Sequence, residues 1–81
     1  MLTIKILGAG CANCKKLEQI TRKVVNQLGI QAEVMKVTDP TEFADYGLLS
    51  TPGLVINEKL FSSGRIPSPA EITSFVTSAI S

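Results

Sequence analysis

Cys11-Ala12-Asn13-Cys14 falls where an extended segment gives way to a helix, and that junction constrains this chain more than any other feature. Leu2 to Leu7 is β-rich and mostly alternating, which predicts a strand. Gly8-Ala9-Gly10 follows as a loop. A helix is expected from about Cys11 to Leu28, with Cys14, Leu17, Ile20, Val24 and Leu28 on its inner stripe. Cys11 then sits at the cap or first turn, facing backbone N–H groups that have no helical partner. Those donors and the helix dipole favour a thiolate over a thiol. Exposed Lys15 and Lys16 add to this weakly, because solvent screens them. Cys14 lies one turn on. Helical side chains three apart have Cβ atoms ~5–6 Å apart, and a disulfide wants ~3.5–4.5 Å. A small adjustment of the first turn closes the ring. Cys14 starts the apolar stripe, so Cys11 is the more accessible sulfur. The expected order is attack by Cys11 on a disulfide, then release of the partner by Cys14.

The rest of the chain has clear punctuation. Gly29 suits the left-handed position after a helix. Gln31 to Val37 predicts a second strand. Asp39-Pro40-Thr41-Glu42 is a helix start, with Asp39 at the N-cap and Pro40 at the first helical position, and that helix ends near Gly47. Gly53 to Asn57 holds the buried run Leu54-Val55-Ile56. Asn57-Glu58-Lys59 is a tight turn, and Leu60 to Ser63 is its hairpin partner. Ser68-Pro69-Ala70-Glu71 repeats the cap signature. The last helix should turn Ile72, Phe75, Val76, Ala79 and Ile80 inward. The order is β-α-β-α-β-β-α. The right-handed crossover makes the first two strands parallel neighbours.

Eighty-one residues predict one domain, residues 1–81. With 44% hydrophobic and 19% charged residues the composition is globular. His is absent, which removes His-based nucleophilic catalysis and His-containing zinc sites. The net charge is +1, which offers no uniform field to nucleic acid or an anionic membrane. Residues 1–30 nevertheless carry five bases to one acid, and they hold both cysteines. No apolar run reaches the ~18–20 residues of a membrane span, and the first ten residues are too interrupted for a signal peptide. The expected setting is the cytoplasm, where two cysteines point to catalysis or metal binding rather than a structural staple. The expected partners include neither nucleic acid nor membrane, and the expected state is a monomer.

Thr51-Pro52 precedes the buried strand. Proline has no N–H to give a ladder. A cis bond here would turn Thr51's backbone toward the Cys11 loop, where its N–H and C=O could pair with an extended substrate segment. Only ~5–6% of X-Pro bonds in folded proteins are cis, so local sequence alone favours trans.

These signals, in this order, resemble the thioredoxin fold in its minimal, glutaredoxin-like form. Ile4 to Glu18, Ser50 to Asn57 and Ser63 to Ser68 are similar to the small archaeal and bacterial thioredoxin-like proteins called redox-active disulfide proteins. The resemblance covers nearly the whole chain. It implies an α/β fold with a four-stranded mixed central sheet and helices on both faces. It implies a cis Pro52 packed against the disulfide, with Thr51 binding substrate backbone. Gly10, Ala12 and Asn13, which flank the cysteines, are expected to contact substrate as well. Typical thioredoxins have Trp where Gly10 stands and Gly-Pro where Ala12-Asn13 stands. Those departures bear on reduction potential and partners. Nothing in the chain implies glutathione dependence.

The expected activity is that of a thiol–disulfide oxidoreductase acting on protein disulfides and recharged by a thioredoxin-reductase-like or other thiol donor. The redox-active Cys11–Cys14 pair needs no further cofactor and no metal. The alternative is a soft-metal, Cu(I)-type carrier using the same pair, although such domains run β-α-β-β-α-β and end in a strand. Three residues carry open readings. Lys5 either snorkels to the open end of its strand or lies below the disulfide and favours the Cys14 thiolate. Phe43 and Tyr46 belong to the core, unless Tyr46 reaches the mouth of the site. Arg65 reads as a solvated loop residue.

Overall fold

The computed structural model describes residues 2–8, 12–48 and 50–80. Seven elements follow in the order β1 (Leu2–Leu7), α1 (Ala12–Leu28), β2 (Ala32–Val37), α2 (Pro40–Asp45), β3 (Gly53–Ile56), β4 (Lys59–Ser63) and α3 (Pro69–Ile80). One mixed sheet has the strand order β2-β1-β3-β4. β1 runs parallel to β2 and antiparallel to β3, and β3 and β4 form an antiparallel hairpin.

Alternation along β1 sorts its side chains onto two faces. Ile4 and Ile6 stand opposite Ile56 and Leu54. Together they pack against Leu17 and Val24 of α1 and Ile72 and Val76 of α3. Leu7, Val37 and Val55 form a smaller cluster on the other face, under Phe43, Tyr46, Leu48 and Leu60. The sheet therefore has α1 and α3 on one side and α2 on the other.

Local chemistry sets the boundaries. Asp39 caps α2 by accepting from the Thr41 N–H at 3.0 Å, with Pro40 as the first helical residue. Ser68 does the same for α3, its Oγ accepting from the Glu71 N–H at 3.2 Å. α1 stops at Gly29, whose φ of 67° is the left-handed geometry a glycine adopts without steric cost. The β3–β4 hairpin turns on Asn57 and Glu58, both at positive φ, as a two-residue turn of this hand requires. The Asn57 side chain accepts from the Thr3 N–H and its own N–H donates to the Thr3 carbonyl, which ties the turn to β1. A register shift sets Leu54 opposite Ser62 but Val55 opposite Leu60. The extra residue, Phe61, joins the α1/α3 core and lies 5.3 Å from the Phe75 ring.

Two residues expected inside are outside. Leu28 is 41% exposed and Ile80 is 57% exposed. Each is the last residue of its helix, at the margin of the packed face. Thr21 and Val25 take the inner positions on α1 instead. Thr21 is tolerated there because its hydroxyl donates to the Leu17 carbonyl at 2.7 Å. Among the described residues no helix is long and apolar enough to cross a membrane.

Candidate active site

Cys14 is the third residue of α1 and is 5% exposed. It is disulfide-bonded, and no cysteine among the described residues is free. Cys11 and Gly10, both expected at the site, lie outside the described residues. Ala12 and Asn13 form the exposed start of α1.

The sulfur of Cys14 rests on the end of β1. Gly8 directly follows that strand, is buried, and donates its N–H to the Val37 carbonyl at 2.9 Å. Beside them is a cavity of about 170 Å³ lined by Ile6, Gly8, Cys14, Lys15, Glu18, Lys36 and Thr38. Glu18 stands one turn below Cys14 on α1, with its side chain only 14% exposed. It pairs with Arg22 at 2.9 Å and with Lys36, which reaches over from β2, at 3.3 Å. Burial pushes the Glu18 carboxyl upward, but the hydrogen bonds from Arg22 and Lys36 outweigh it and hold the group below the usual glutamate value.

The Thr51–Pro52 peptide is cis. Leu7 pairs with Gly53, so the residues just beyond that pair, Gly8 and Pro52, share one end of the sheet. Pro52 is buried and Thr51 is exposed. The Pro52 carbonyl accepts from the Gly64 N–H at 2.9 Å, which fastens this loop to the end of β4. Cys14, Ala12, Asn13, Thr51 and Pro52 thus gather at one end of the molecule.

Lys5 does not belong to that group. Its ammonium donates to the Tyr46 hydroxyl at 2.6 Å and to Glu58 Oε1 at 2.8 Å, and the Tyr46 hydroxyl donates to Glu58 Oε2 at 2.6 Å. Lys5 is opposite Met35 and Val55, on the α2 face. Ile6 and Gly8, which line the Cys14 cavity, occupy the alternate positions and face α1. Strand alternation separates Lys5 from the sulfur, so the reading that placed it below the disulfide is wrong. With its side chain 20% exposed, the ammonium reaches water beside Glu58, toward the hairpin turn. Hydrogen bonds to Glu58 and then Tyr46 raise the Lys5 pKa, and the same bonds, from Lys5 and then Tyr46, lower that of Glu58. Tyr46 therefore does not serve the site. Arg65 pairs with Glu71 at 2.7 Å at the surface.

Sequence reasoning passed over three residues around the sulfur: Gly8, Glu18 and Lys36. Glu18 was within reach of it, being four residues after Cys14 and so on the same helix face. Gly8 and Lys36 carry no local signal, because what places them is the pairing of β1 with β2.

A buried, bonded cysteine opening a helix, at the sheet end that carries a cis proline, defines the class: a small thiol–disulfide exchange fold. Comparison with known proteins agrees. A family model described as thioredoxin domain matches residues 2–77, and the chain belongs to the thioredoxin family. A thioredoxin of Methanothermobacter thermautotrophicus is 42% identical over 72 residues, covering 89% of this chain and 94% of the relative. One from Methanocaldococcus jannaschii is 40% identical over 72 residues, covering 89% and 83%. Among solved structures, the germline-specific thioredoxin Deadhead of Drosophila melanogaster superposes with a TM-score of 0.68 at 18% identity, over 95% of this chain and 79% of that one. At that identity it supports the fold alone. The chain is a thiol–disulfide oxidoreductase of thioredoxin type.

Proposed function

We propose that Cys11 is the attacking sulfur and Cys14 the resolving one, in a single domain that acts as a monomer on disulfides of cytoplasmic proteins. The Cys11 thiolate attacks one sulfur of the substrate disulfide and expels the other as a thiolate, which takes up a proton. The Cys14 thiol then loses its proton and attacks Cys11, releasing the second substrate sulfur and closing the Cys11–Cys14 bond. Two electrons pass to the substrate, and a thioredoxin-reductase-like or other dithiol donor returns them. The sulfurs themselves hold the electrons, so the cycle calls for no further cofactor.

The observation that carries this reading is Cys14: bonded, buried and in the first turn of α1, a placement suited to a second, protected sulfur. The sequence holds only two cysteines, which makes Cys11 its natural partner. Exposed Thr51 at the same sheet end supports backbone pairing with an extended substrate, with Gly10, Ala12 and Asn13 as the flanking contacts. The metal-carrier alternative loses ground because α2 separates β2 from the β3–β4 hairpin, unlike the β-α-β-β-α-β order of such carriers, and the chain belongs to the thioredoxin family.

The test is reduction of insulin disulfides, driven by NADPH through a thioredoxin reductase or by dithiothreitol. Cys11→Ser is expected to abolish turnover. Cys14→Ser is expected to trap a mixed disulfide. Turnover surviving in Cys11→Ser, or tight Cu(I) binding by a wild type that reduces nothing, overturns the assignment.

A further inference from the structure

We propose that Gly8 sets how firmly the chain holds its disulfide, by leaving empty the space that the bonded Cys14 sulfur occupies. The proposal rests on the reading of Cys11 and Cys14 as a redox couple and extends it to a residue outside the motif.

The backbone of Gly8 cannot retreat. It continues β1, and its N–H is fixed to the Val37 carbonyl of β2 at 2.9 Å. A Cβ built on it would overlap Cys14 Sγ and lie 3.0 Å from Cys14 Cβ. Unbonded heavy atoms settle at ~3.5–4 Å, so the sulfur would have to move. Glycine is required here by space rather than by dihedral freedom, since Gly8 lies outside the positive-φ set.

The cost of a side chain at position 8 depends on redox state. In the oxidised protein the Cys14 sulfur is covalently tethered and cannot leave the contact. In the reduced protein the thiol is free to turn about χ1 to another staggered position. The cavity of about 170 Å³ beside Cys14 gives it room. A methyl group at position 8 therefore penalises the disulfide more than the dithiol. Gly8 is a positioning residue: it touches the resolving sulfur and shifts the equilibrium of the exchange.

The experiment is redox equilibration of wild type and Gly8→Ala against glutathione. One protein disulfide and two glutathione thiols give the protein dithiol and one glutathione disulfide, so one S–S bond breaks, one forms, and both thiol protons pass to the protein sulfurs. Gly8→Ala is expected to move the equilibrium at least about tenfold toward the dithiol, or about 30 mV for this two-electron couple. Its reduced form is expected to unfold close to the wild-type midpoint, and its oxidised form well below. The same substitution in a Cys14→Ala background, where no sulfur stands at position 14, is expected to cost less than half of what it costs the oxidised wild type. If Gly8→Ala folds under reducing conditions but not when oxidised, the proposal stands; if it fails to fold with cysteine at 14 in both redox states, the proposal falls. Failure in both backgrounds, equal losses in both redox states, or an equilibrium within about twofold of wild type overturns it. A wild type that never forms the disulfide overturns the redox couple itself, and the role of Gly8 with it.

Discussion

Glu18→Gln separates the electrostatics around the buried cysteine from the rest of the fold. The substitution keeps the shape of the side chain and removes its charge. Two cations lose their partner: Arg22 at 2.9 Å and Lys36 at 3.3 Å. Both are more than half exposed, so their bonds are worth far less than buried ones, while Glu18 at 14% exposure keeps its own end partly shielded. An exposed helical pair contributes ~0.3–0.5 kcal/mol and a charged hydrogen bond ~1.5–3. Two half-screened bonds together come to about 1 kcal/mol. In a domain this small that lowers the melting temperature by roughly 4–8 °C.

The pH dependence has a definite sign. The folded-state pKa of Glu18 lies below its unfolded value, so across that window the unfolded chain binds more protons. Its contribution is present above the ordinary glutamate pKa, ~4.3, and disappears as pH falls through the lower, folded value. Urea unfolding of wild type and variant should differ at neutral pH and converge in acid, and high salt should narrow the gap. The substitution also removes an anion one helical turn from Cys14 and leaves two cations uncompensated. At a separation of ~6–8 Å the Coulomb energy spans about 0.5–2.8 kcal/mol between water-like and protein-like screening, so the Cys14 thiol should ionise at a lower pH than with glutamate in place. The readout is the pH dependence of Cys14 alkylation in a Cys11→Ser background. A stability gap that persists in acid, or a Cys14 pKa that rises, refutes the reasoning.

Two further outcomes follow from the sheet. Lys5→Met should lower the unfolding midpoint by removing the cation that holds Tyr46 and Glu58. Because the Lys5 pKa is raised on folding, its stabilisation is complete below the ordinary lysine pKa and is lost only as pH climbs through the higher folded value; the gap should therefore stay constant from neutral pH up to about 10. The same variant should leave the Cys14 alkylation profile within about 0.2 pH unit of wild type, and a larger shift refutes the placement of Lys5 on the far face. Ile72→Ala empties a fully buried position between α3 and the sheet. It should cost ~3–4 kcal/mol, seen as a melting temperature roughly 12–32 °C lower in calorimetry, and a loss under ~1 kcal/mol refutes the account of the core.

Whatever depends on a few adjacent residues was legible in the chain itself. Asp39 before Pro40 and Ser68 before Pro69 act as caps because a side-chain oxygen needs to reach only two or three residues along the backbone. Gly29 ends α1 and Asn57 starts the hairpin turn because left-handed geometry is a property of single residues. The element order was readable for the same reason, as was the position of Cys14 in the first turn of a helix on its apolar stripe. Tertiary structure decided what depends on register between distant segments. The side of the sheet on which Lys5 lies follows from alternation along β1 and from Tyr46 and Glu58, 41 and 53 residues away, closing on its ammonium. Leu28 and Ile80 fit the helical stripes yet end outside, because periodicity does not say where a neighbouring surface stops. Gly8 comes to lie beneath the sulfur only when β2 pairs with β1 and Val37 binds its N–H, and that same pairing carries Lys36 to Glu18. Turns and caps are set by residues a few places apart along the chain; the surroundings of the sulfur are assembled from three elements that meet only when the sheet forms.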